Sequence, residues 1–323
     1  LLVAPPKYGK SWLMLDLCLS VASGQKFLDM PTNKTDCLYL ALEDNQRRLQ
    51  DRMNRVLQGE RAPDGFALAT GSLDLQAGLL DQLTDYLNIN PGCGLVVIDT
   101  LQRVRRTTGK AINAYQADYK DVGILQKFAS EREICIVLVH HLRKMKDETD
   151  PFAQISGTNG IFGAADSAFV MTRDRRVDDT TKLSVTGRDL EEFELALRLD
   201  KTQCRWQNLG DAEARAREQA RKEYENSALV QTIRKLVERN HGQWSGTAKE
   251  ILEAGKQLTR RFIAESPKDV GVRVKKLENE MREFDGIVYE RVKRGTSGAL
   301  HYFCKENMQV QNEVQLDLSK QVA

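Results

Sequence analysis

Seven short apolar runs recur in the first two hundred residues: Leu1–Val3, Cys37–Leu42, Gly94–Ile98, Ile134–Val139, Ser167–Met171, Lys182–Thr186 and Leu195–Leu199. Stretches with helical periodicity separate them, such as Ser11–Ser23 and Gln116–Glu131. Several of the runs are apolar at every position, as strands must be when helices cover both faces of their sheet. The expected fold class is α/β, with a mainly parallel central sheet and helices as the crossovers. Hydrophobic residues make up 41% of the chain and charged residues 29%, enough for a buried core and a solvated surface. No apolar run approaches the ~20 residues that a membrane-spanning helix needs, so no membrane partner is expected.

The start of the chain is not a signal peptide, because Pro5, Pro6, Lys7, Gly9 and Lys10 interrupt its apolar stretch. The chain begins without Met inside an apolar run, which implies upstream residues. Six cysteines (Cys18, Cys37, Cys93, Cys135, Cys204, Cys304) lie far apart and form no CxxC pair, and the four histidines complete no zinc pattern. Reduced, buried thiols and a cytoplasmic location are the expectation.

Composition shifts near Asn208. Residues 1–209 read as the α/β core, and residues 210–226 as a solvated helical linker rich in Ala, Arg and Glu. Helical patterns follow at Ala228–Asn240, Gly246–Ala254 and Lys268–Phe284. The runs Ile287–Val292 and Ala299–Phe303 then flank the turn Arg294-Gly295-Thr296-Ser297-Gly298. Three helices and a hairpin give residues 227–305 the order of a small winged-helix-like α+β module, and residues 306–323 read as a disordered tail. Ser227 to Lys305 carries 16 Lys+Arg against 10 Asp+Glu, net +6, while the remainder carries 32 against 36, net −4. A basic C-terminal module hints at nucleic acid.

Ala4-Pro5-Pro6-Lys7-Tyr8-Gly9-Lys10-Ser11 sits between the first apolar run and the first helix. That is the setting of the GxxxxGK[ST] phosphate loop, with Ala4 in place of the first glycine. Backbone N–H groups of such a loop wrap a phosphate chain, and the following helix aims its positive end at it. Lys7, Tyr8, Gly9, Lys10, Ser11 and Trp12 are the expected nucleotide contacts, with Lys10 on the β- and γ-phosphates and Ser11 on Mg²⁺. Gly94-Leu95-Val96-Val97-Ile98-Asp99 ends in a carboxylate at the C-terminal end of a buried strand, where Asp99 reaches a magnesium-bound water.

Three more segments complete a pattern: Leu40-Ala41-Leu42-Glu43-Asp44, Val139-His140-His141, and Ser156-Gly157-Thr158 through Gly163-Ala164-Ala165-Asp166. Together with the GKS and VVIDT segments, in this order over residues 1–209, they resemble the RecA-like P-loop ATPases. Within these they resemble the RepA-type hexameric replicative helicases of plasmids and mobile elements (AAA ATPase family). The resemblance implies ATP with Mg²⁺, a ring of identical subunits and DNA as the partner. It implies that Glu43 orients or activates the attacking water, and a carboxylate near the γ-phosphate can accept that proton. It places His141 as the γ-phosphate sensor, while His140 faces the other side of the strand and packs. Asp44 is expected to cap the helix starting near Asn45. Arg188, in Thr186-Gly187-Arg188-Asp189, matches the arginine that completes a neighbouring subunit's site, and Arg52 matches another basic position; Asp166 stands where a finger is sought in the RepA type.

In ring ATPases of this class, loops after the third and fourth strands contact single-stranded DNA. Here these carry Arg103, Arg105 and Arg106, then Lys144 and Lys146, with Phe152 the one aromatic candidate. The C-terminal module offers Arg273, Lys275 and Lys276 on a candidate recognition helix, and Lys293 and Arg294 on a wing, for duplex DNA or a protein. The leading reading is an ATP-driven helicase or translocase. The alternatives are a DNA-bound accessory ATPase without strand separation and a recombinase-like filament former.

Overall fold

In the computed structural model, residues 1–105, 114–142, 150–156, 159–173, 179–293 and 299–306 are described. The chain divides into two compact units, Leu1–Glu213 and Ala214–Ala323.

The apolar runs of the first unit pair into one nine-stranded sheet, ordered β3-β2-β4-β5-β1-β6-β7-β8-β9. Its strands are β1 (Leu2–Ala4), β2 (Asp36–Ala41), β3 (Phe66–Ala69), β4 (Cys93–Asp99), β5 (Cys135–His141), β6 (Ser167–Thr172), β7 (Thr180–Gly187), β8 (Leu190–Asp200) and β9 (Arg205–Asp211). From β3 to β6 the pairing is parallel; β6 to β9 form an antiparallel extension. Strands alternate their side chains between two apolar layers. Cys37, Tyr39, Val97 and Val139 face a layer made with α1 (Lys10–Ser23) and α2 (Gln46–Leu57). Leu38, Val96, Ile98 and Leu138 face α3 (Leu79–Ile89), α4 (Ala114–Glu131) and α5 (Asn159–Ala164). Helices cover both faces, which is why β4 reads as continuously apolar.

In this first unit two strands were not anticipated. β3 is a half-buried edge of only four residues, and β9, Arg-Trp-Gln-Asn-Leu-Gly-Asp, is a mostly polar opposite edge. Edge strands carry a weaker apolar signal because only their inner side is covered. Five cysteines are buried, Cys135 is exposed, and none is paired.

α6 (Ala212–Asn226) starts two residues before the second unit and runs into it, and its Tyr224 enters that unit's own core. There follow α7 (Ala228–Arg239), β10 (Gln243–Thr247), α8 (Ala248–Leu258), α9 (Pro267–Lys276), α10 (Glu278–Asp285), β11 (Ile287–Lys293) and β12 (Ala299–Lys305). The strands form an antiparallel sheet ordered β10-β12-β11. Ser227, Thr247 and Ser266 cap α7, α8 and α9, and Glu250 completes a capping box on α8. The single helix expected over Lys268–Phe284 is two helices that meet at Leu277. Val270, Val274 and Met281 are buried in one core, so their spacing runs through the break and hides it. No described helix is long and apolar enough to cross a membrane.

Candidate active site

Parallel pairing puts the C-terminal ends of β1, β4 and β5 side by side, with Ala4 level with His141 and Asp99 level with Val139. The loop leaving β1 turns through Lys7 (φ 68°) into Gly9 (φ 88°), which caps α1 in the left-handed region. Glycine is required there twice over. That conformation disfavours a side chain, and a Cβ would stand 2.8 Å from Cζ2 of Trp206. Ala4, by contrast, is in extended strand, so this position tolerates the absence of the motif's first glycine.

Lys10 is 7% exposed and folds back over the loop, donating to Ala4 O at 2.8 Å and Pro5 O at 3.2 Å. Burial pulls its pKa from 10.5 down to about 8, against the opposing pull of Asp99 and Glu43. Its ammonium also lies 3.3 Å from His141 Nδ1. An ammonium can only donate, so Nδ1 accepts and the imidazole is neutral with its proton on Nε2. Burial and the Lys10 charge both lower the His141 pKa, which favours that neutral form.

Asp99 is 5% exposed, and burial raises its pKa while bonds from Ser11 and Tyr39 pull it down. The Tyr39 hydroxyl donates to Asp99 Oδ2 at 2.8 Å. Glu43, after β2, accepts at Oε1 from Thr100 Oγ1 at 3.1 Å, and Arg103 Nε lies 3.9 Å from the same oxygen. One end of the sheet therefore gathers a buried cation, a carboxylate held by two hydroxyls, a half-exposed carboxylate and a neutral imidazole. Among the described residues no cluster of three His, Cys, Asp or Glu could hold a metal by itself. The adjoining hydroxyl and carboxylate of Ser11 and Asp99 suit Mg²⁺, which shares its shell with phosphates and water.

The other expected residues have these surroundings. Tyr8 is half-buried beneath the Arg173 guanidinium, 5.1 Å from its ring centre, and Trp12 lies under Arg52 at 5.3 Å. Arg52 pairs with Asp44, as does Arg48. The cap of α2 is Asn45, accepting from Arg48 N at 2.9 Å, which corrects the expectation for Asp44. Arg105 is also corrected as a DNA contact. Its guanidinium turns inward to Asp118 (2.5 Å) and Asp121 (2.7 Å), leaving 14% of the side chain exposed. Arg103, 59% exposed, keeps to the surface. Phe152 stacks on Phe162, with ring centres 5.6 Å apart. Arg106, Lys144, Lys146 and Arg294 lie outside the described residues; Lys293 ends β11 but its side chain is not described. Arg273 pairs with Asp269 and Lys275 with Glu278.

Arg188 sits on the turn after β7, paired with Asp166 at 3.3 Å. Gly187 is level with Ser167, the first residue of β6, whereas Val3 is level with Val170. That strand length alone spans ~10 Å, so Arg188 lies toward the end of the sheet away from Lys10. Tyr39, Thr100 and Trp206 were not anticipated as site residues. The available signal for Tyr39 was a hydroxyl in an apolar run, on the same strand face as Ala41, which is level with Asp99.

His140 points to the opposite layer, as expected. Its Nε2 donates to Ser156 O at 3.1 Å, and its buried Nδ1 has no partner among the described residues. Burial lowers its pKa from 6.5 to about 4. A depressed histidine pKa stabilises the fold above the unfolded value, and that stability is lost as pH falls from about 6.5 to about 4. Denaturation midpoints should report a loss of up to about 3 kcal/mol across that window, reduced in His140→Asn. Equal losses in the two proteins would acquit His140.

A family model described as AAA domain matches residues 1–147. With the sheet order and the loop geometry, this decides the class. The N-terminal unit is a RecA-like P-loop ATPase domain. It is similar to a solved ATPase domain at 14% identity and a TM-score of 0.51, covering 64% of this chain and 83% of that one. It is also similar to the solved structure of a DnaB-like replicative helicase, studied with its interactions with primase, at 14% identity and a TM-score of 0.50. The likeness covers 64% of this chain and spans 58% of the length of that one. No curated protein sequence matches the chain.

Proposed function

We propose that this RecA-like ATPase is a DNA helicase or translocase that works as a ring of identical subunits, of RepA type, in the cytoplasm, replicating a plasmid, phage or integrated element. The observation that carries this is the split site. Lys10, Asp99, Glu43 and His141 converge at one end of the sheet, while Arg188 lies toward the other, suited to a neighbour's phosphates. Likeness to a DnaB-like replicative helicase supports the replicative reading. In this reading Lys10 neutralises the β- and γ-phosphates, and Ser11 and Asp99 would hold Mg²⁺, which supplies further charge neutralisation. Glu43 takes the proton of the attacking water, and the Nε2–H of His141 senses the γ-phosphate. Arg103, in reach of Glu43, links a DNA-facing loop to that carboxylate.

The test is ATP turnover with and without single-stranded DNA, beside a native mass measurement with nucleotide. Stimulation by the single strand and a closed hexamer are expected. An open filament favours a recombinase-like protein, and binding of duplex without stimulation favours an accessory ATPase. Arg188→Ala should leave ATP affinity nearly unchanged and lower turnover by ~10³. Mixing it with a Lys10→Ala chain should restore part of the activity, since some interfaces then hold an intact loop and an intact arginine. A fully active Arg188→Ala protein rules out the finger.

A further inference from the structure

Among the described aromatic side chains, Phe262 is the most exposed, at 70%. Its backbone is held firmly. Arg260 N donates to Gly255 O at 3.2 Å, and Ile263, 4% exposed, lies so close over Gly255 that a Cβ there would meet its Cδ1 at 2.6 Å. Ile263 O accepts from Arg273 Nη1 at 3.2 Å, and Glu265 N donates to Asp269 Oδ2 at 3.2 Å. The turn is thus tied at both ends to α8 and α9, and it presents the ring to solvent. Burying such a ring is worth roughly 1.5–3 kcal/mol, and here a well-anchored turn withholds it from the core.

The surroundings say what would cover it. Residues 260–276 contain six Lys or Arg (Arg260, Arg261, Lys268, Arg273, Lys275, Lys276) against two acids, all six cations exposed. Lys268, Val272 (49% exposed), Lys275 and Lys276 recur on one face of α9, opposite the buried Val270 and Val274. Lysine is depleted in protein–protein interfaces, which argues against a protein partner. Single-strand sites interleave several aromatic rings along a groove, and here one ring stands beside a convex, ten-residue helix.

We propose that the Arg260-Arg261-Phe262 turn and this face of α9 form one binding site for duplex DNA. The helix enters the major groove, with Val272 placed for a thymine methyl. Arg260 and Arg261 take the flanking phosphates, and Phe262 packs on the adjoining sugar. The inference rests on the DNA-acting reading above and locates its duplex contact.

The test uses the full chain and a fluorescent mixed-sequence duplex, followed by anisotropy from ~50 to ~200 mM salt. Arg260→Ala with Arg261→Ala should reduce the slope of log affinity against log salt by about 2. Phe262→Ala should weaken binding about tenfold (one buried ring) with the slope unchanged. Basal ATP turnover should stay as in the parent, since none of these residues lies in the nucleotide site, and thermal melting checks the fold. Parental duplex affinity in both variants overturns the site, and so does equal retention of poly-glutamate, which marks a merely adhesive surface. Either result with stimulation by single-stranded DNA intact leaves the helicase reading standing. No binding of any DNA and no stimulation sinks both.

Discussion

Replacing Lys10 with alanine is expected to weaken Mg·ATP binding by at least ~10²-fold and to abolish turnover. Two charge-assisted bonds to phosphate, each worth ~1.5–3 kcal/mol, go with the side chain. The same ammonium already satisfies Ala4 O and Pro5 O in the free protein, so structural damage must be separated from lost binding. Burial has already pulled this ammonium down to about 8, and the free fold gains little from its charge. The melting temperature of Lys10→Ala should therefore stay within a few degrees of the parent. Calorimetric titration with a non-hydrolysable ATP analogue gives the affinity, and an unchanged value removes the phosphate loop from the account.

Changing Glu43 to glutamine should separate binding from chemistry. The amide keeps an oxygen for the Thr100 hydroxyl, 3.1 Å away in the parent, so the loop after β2 should hold its shape. It cannot accept the proton of the attacking water, and turnover should fall ~10²–10⁴-fold with ATP affinity within a few-fold of the parent. Single-turnover assays at saturating nucleotide measure this directly. Near-normal turnover would pass the role of base to another group.

The central strands could be read from the sequence because they are buried on both faces, and so could the positions of Lys10, Asp99, Glu43 and His141. All four follow apolar runs, and a parallel sheet lines up the ends of such runs whatever the loops do. What escaped depends on neighbours distant in sequence. Nothing near Arg105 says that Asp118 and Asp121 will draw it inward. Nothing near Asp44 says that Arg48 and Arg52 will occupy it and leave the cap to Asn45. β9 and β10 hide for a different reason: polar residues dominate both, and each lies at the edge of its sheet.

The indole of Trp206 donates to Gly9 O at 3.4 Å across 197 residues of chain, and fills the space where a side chain at Gly9 would go. A loop encoded within the first dozen residues is thus finished by a strand made near the end of its domain. During synthesis, the phosphate loop lacks this packing partner until Trp206 has emerged. Closure of so long a loop also makes this a late, slow contact. The phosphate loop should therefore reach its final packing only when the last edge strand, β9, closes on the sheet.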